Sequence, residues 1–60
     1  MIAENHGEVT ALYRALIEQA RRQIADGEYD AAVMTLRDAL SFAPDRDEAM
    51  HLLRGVLARM

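Results

Sequence analysis

Asp26-Gly27-Glu28-Tyr29-Asp30-Ala31-Ala32, running on through Val33 to Ala43 and stopped by Pro44, is the stretch that decides the fold. Gly27 predicts a turn, because glycine takes the left-handed conformation that satisfies the last carbonyls of a preceding helix at no steric cost. After it, Ala32, Val33, Leu36, Ala39 and Leu40 recur at helical spacing, so a helix is expected over about 29–43 with small residues where it approaches a neighbour. Pro44 cannot donate the next helical hydrogen bond and pushes Ala43 out of the helical region, which ends that helix. Met34 falls off the buried stripe and reads as an ordinary exposed residue, while Phe42 sits at its far edge.

Upstream of the turn, Val9, Leu12, Tyr13, Leu16, Ile17, Ala20 and Ile24 form one apolar face at spacings of three and four. Glu8, Arg14, Glu18, Arg21 and Arg22 lie outside it, as befits a solvated face, with Glu18 four residues before Arg22 in the favourable orientation. A first helix is expected over about 8–26. Residues 1–7 are polar, end in Gly7 and read as a flexible lead-in, the alternative being a helix that tolerates Gly7 and starts near Ile2.

Downstream of Pro44, Asp45-Arg46-Asp47-Glu48 has the spacing of a capping box, with Asp45 at the cap and Glu48 reaching back. A third helix is expected over about 46–59. Ala49, Met50, Leu52, Leu53, Val56, Leu57 and Met60 cover an arc of roughly 160° on it, wider than the stripe of an ordinary surface helix. The chain therefore reads as all-α, with residues 8–60 forming one three-helix domain.

Composition narrows the classes of function. Sixty residues bury only about 60% of the surface that the unfolded chain exposes, so the core alone supplies about 3–5 kcal/mol. No cysteine is present, and His6 and His51 are too few and too far apart to build a metal site, so neither metal nor cofactor is expected. A net charge of -3 disfavours nucleic acid as a partner. All seven basic residues are arginine, which removes a phosphate-cradling lysine and Schiff-base chemistry. Neither the acidic cluster at 26–30 nor the one at 45–48 offers alternating oxygen ligands through a twelve-residue calcium loop. Ser41 is the lone serine and has no catalytic partner in view, so no enzyme is expected. No segment reaches the roughly 18 uninterrupted apolar residues of a membrane span, and the first residues lack a signal-peptide pattern, which makes a cytoplasmic protein the expectation.

Gly27, Tyr29, Ala32, Leu36, Ala39 and Pro44 together resemble the tetratricopeptide repeat, a helical hairpin of about 34 residues that stacks into superhelical arrays. The resemblance covers residues 13–46 as one repeat and 47–60 as the first helix of a second. It is weaker in the first helix, where Leu16, Gln19-Ala20 and Gln23 replace the family's Trp, Leu-Gly and Tyr. Arg54 stands where a small residue normally admits a following helix, so the third helix reads as a terminal, solvating one. Pro44 through Met60 also has a looser similarity to helical repeats of bacterial transcriptional activation domains.

The resemblance implies a protein-binding scaffold. Carried over position by position, its concave groove would be lined by Arg14, Ile17, Arg21 and Ala25, then by Glu48, His51 and Gly55. About one and a half repeats make a short groove, and stable arrays need about three. The expected function is therefore assembly through unsatisfied apolar ends, as a homo-oligomer or as the cap of a helical partner. Val9, Leu12 and Leu16 would form one end, and Met50, Leu53, Val56, Leu57 and Met60 the other. The alternatives are a small chaperone or adaptor that binds a peptide or helix, and a helix-turn-helix DNA binder. The last is disfavoured by Asp45, Asp47 and Glu48 at the start of its reading helix.

Overall fold

The computed structural model describes the backbone of residues 2–60 and the side chains of residues 9–60. Three helices follow one another: α1 (Ile2–Ala25), α2 (Tyr29–Phe42) and α3 (Glu48–Arg59), with no strand among the described residues. The all-α expectation holds. α2 packs against both other helices, whereas α1 meets α3 at only a few places.

The turn between α1 and α2 closes as its glycine predicts. Gly27 has a φ of 78°, the Glu28 N–H donates to the Gln23 carbonyl at 2.8 Å, and the Gly27 N–H donates to the Ile24 carbonyl at 3.0 Å. These are the two bonds of a Schellman motif, which use up carbonyls that the end of α1 leaves free. At the other end of α2, Ala43 leaves the helical region with φ −142° and ψ 75°, the displacement that Pro44 imposes on its predecessor.

Two expected boundaries need correction. α1 begins at Ile2 rather than near Glu8, so the backbone of residues 2–7 is helical, which is the alternative reading of that segment and not the lead-in; Met1 lies outside the described residues. A single interior glycine costs about 1 kcal/mol relative to alanine, which is too little at Gly7 to stop a helix already propagating from packed turns downstream. α3 begins at Glu48, later than the expected 46, and the capping box does not form: Asp47 is the N-cap residue and makes no side-chain cap bond. The cause is the turn before it. The Arg46 N–H donates back to the Ala43 carbonyl at 3.1 Å, which keeps Asp45 in the turn and out of reach of the helix start.

Tyr13, Ile17 and Ala20 from α1, Ala32, Leu36 and Ala39 from α2, Ala43, and Ala49 and Val56 from α3 form the core. Ala20, Ala32 and Ala39 have no exposed surface, so α1 and α2 approach through small side chains that leave room for Leu36 between them. At one edge of this seam sits a polar pair. The buried Thr35 hydroxyl has the Gln23 side-chain oxygen at 2.8 Å and the Ala31 carbonyl at 3.0 Å as alternative acceptors for its one proton.

Candidate interaction surfaces

The expected end residues fall into three groups. Leu12, Met50, Leu57 and Met60 are 51%, 41%, 55% and 62% exposed, and Val9, Leu16 and Leu53 are half-buried. Val56 is a correction: at 1% exposure it belongs to the core. Its position explains this, because at about 100° per residue Val56 shares the centre of α3's inner face with Ala49, while Leu53 and Leu57 sit progressively further round the same side.

The groove residues divide similarly. Arg14, Arg21 and His51 are exposed, as are Ala25, Glu48 and Gly55. Ile17 is a second correction, buried at 4% exposure. It lies four residues after Tyr13 and three before Ala20, so the same face that buries them buries it. The structure brings Arg21 and Glu48 together across α1 and α3, with an Arg21 Nη2 to Glu48 Oε2 distance of 2.7 Å. Both side chains are about half exposed, so this pair contributes only a few tenths of a kcal/mol.

Helical spacing extends one end surface beyond the residues expected. Phe42 lies seven positions after Thr35 on α2, and Leu16 lies seven before Gln23 on α1, with Leu12 four further back. Since Thr35 meets Gln23, and the helices run antiparallel, Phe42, Leu16 and Leu12 continue along the same edge of the hairpin. Phe42 is 45% exposed there. The other surface is the free edge of α3, where Met50, Leu53, Leu57 and Met60 recur at spacings of three and four.

A polar junction that sequence reasoning missed joins α1 to the start of α3. The Ala49 N–H, in the first turn of α3, donates to the buried Tyr13 hydroxyl at 3.1 Å. Such first-turn donors have no partner inside their own helix, so Tyr13 supplies from α1 the cap that Asp45 was expected to supply locally. The Arg46 guanidinium carbon lies 5.3 Å from the centre of the Tyr13 ring, and its Nη2 donates to Thr10 Oγ1 at 3.1 Å. The signal was available: a tyrosine in the middle of a buried stripe must find a partner for its hydroxyl.

An open hollow of about 330 Å³ is lined, among the described residues, by Met34, Arg37, Asp38 and Ser41, all from one helix, α2. Among the described residues, no group of three His, Asp or Glu side chains is placed to hold a metal ion. No helix there is long and apolar enough to cross a membrane. Comparison with protein-family models, curated proteins and solved structures yields no match.

Proposed function

We propose that this chain is a non-enzymatic protein–protein interaction module, a short unit resembling the tetratricopeptide repeat, that assembles with further copies of itself through its exposed apolar edges. The observation that carries the reading is the free edge of α3, where Met50, Leu57 and Met60 stand exposed beside half-buried Leu53 on a chain with a small core. Isolated exposed apolar residues are common, but a contiguous row of four marks a contact surface. The second edge, with Leu12, Leu16 and Phe42, gives a module of this kind two ends. A cytoplasmic setting belongs to the same reading.

The alternative, an adaptor for a peptide or helix of another protein, rests on Arg14, Arg21 and His51, exposed on the side where α1 and α3 are tied by the Arg21–Glu48 pair. That face is only two helices wide. Self-association is therefore preferred.

Sedimentation equilibrium from low micromolar to millimolar concentration, with circular dichroism on the same samples, tests the reading. The expected result is a helical species whose mass rises above the 6.7 kDa of one chain. Leu57→Glu, at an exposed position, should return it to a helical monomer. A wild-type helical monomer at every concentration, or a Leu57→Glu chain that associates like the wild type, would remove the proposal.

A further inference from the structure

We infer that α3 is a latched arm: it opens as one unit about the turn from Ala43 to Asp47 while α1 and α2 stay paired, and the Tyr13 hydroxyl is its catch. This inference does not depend on self-association.

Four observations carry it. First, α3 contributes only Ala49 and Val56 to the buried core, whereas α1 and α2 contribute Tyr13, Ile17, Ala20, Ala32, Leu36 and Ala39. Local openings follow such differences in buried apolar contact. Second, α3 does not cap itself. Its N-cap residue Asp47 makes no side-chain bond, and the Ala49 N–H finds its acceptor on α1. Without Tyr13 Oη that buried donor is left unpaired, which is more costly than losing a solvent-exposed bond.

Third, among the described residues the side-chain hydrogen bonds from α1 to α3 and to the turn before it gather at the arm's beginning: Tyr13 with Ala49, Thr10 with Arg46, and Arg21 with Glu48. The far end of α3, with Leu57 and Met60, is exposed. Fourth, the residues between Phe42 and Glu48 are outside any helix, so rotation there breaks no helical ladder. Opening would uncover Ala49, Leu52 and Val56 and complete an apolar stripe around α3. The catch therefore controls how much apolar surface the molecule offers.

Native-state hydrogen exchange, resolved by residue on the whole chain, tests this. In the wild type, the Leu52 and Leu53 amides should exchange through a smaller opening than those of Leu36 and Ala39. Tyr13→Phe keeps the ring and its stacking with Arg46 but deletes the acceptor. Losing a cap of typical strength should speed exchange at Leu52 and Leu53 by about fivefold to tenfold, and at Leu36 and Ala39 by less than about twofold. Equal acceleration in α2 and α3, or none in α3, overturns the arm. So does loss of the hairpin in Tyr13→Phe, since the hydroxyl would then hold the whole fold. Arg46→Ala, at an exposed position, should give the same selectivity at smaller amplitude, about twofold; a uniform response would again overturn the inference.

Discussion

Where α1 meets α2, the contact is made of alanines with no exposed surface around a fully buried leucine. Where α3 meets the hairpin, two buried residues are supplemented by a tyrosine cap, a stacked arginine and an ion pair. The first contact depends on close packing over a broad seam. The second depends on a few directed bonds at one end of a helix. Apolar packing loses stability in proportion to the atoms removed, whereas a directed bond is present or absent. The same chain thus holds its helices in two ways, and substitutions should tell them apart.

The largest effect is expected in the seam. Leu36→Ala removes a fully buried side chain and should cost about 3 kcal/mol, comparable to the whole stability expected of so small a core. Circular dichroism at 25 °C should show a largely unfolded chain, and a melting temperature within a few degrees of wild type would mean that the seam is not the main support.

Next comes the turn that sets the seam's register. Gly27 has a φ of 78° and open space around an added Cβ, so Gly27→Val tests backbone conformation alone. A β-branched residue in that region should cost about 1–2 kcal/mol. An unchanged thermal melt would exclude the left-handed turn in solution.

The smallest effect should be of opposite sign and confined to α3. Gly55 lies inside that helix, and nothing stands within 4 Å of where a Cβ would be. Gly55→Ala should stabilise α3 by about 0.8–1 kcal/mol through helix propensity, read as slower exchange at Leu52 and Leu53 with little change at Leu36. A loss of stability instead would show that the space beside Gly55 is filled in solution.

The hairpin was legible because its determinants are local. Gly27 and Pro44 each act on backbone within a few residues of themselves, and the alanines of α2 recur at helical spacing, so local pattern located the turn and the end of α2. The beginning of α3 was not legible in the same way. Asp45 to Glu48 has the right spacing for a capping box, yet the turn after Pro44 holds Asp45 away, and Glu48 reaches Arg21 instead. The partner that does cap α3 lies thirty-six positions upstream, a separation that no local pattern contains. Val56 was misplaced for a related reason: a wide apolar arc says that a helix has neighbours, but only the packed structure decides which part of the arc faces them. Ile17 was placed in the groove by the resemblance, although its own spacing put it on the buried face of α1.

The cap also sets an order of events in time. Pairing of α1 with α2 closes across the short turn at Gly27, and helical hairpins rich in such near contacts form quickly. The start of α3 must wait for a site that exists only once Tyr13 has been fixed by that pairing. During synthesis, where upstream segments leave the ribosome first, the receiver is complete before the helix it receives. The expected refolding sequence is therefore hairpin first and α3 last, with the hydrogen bond from Ala49 to Tyr13 among the final contacts to form.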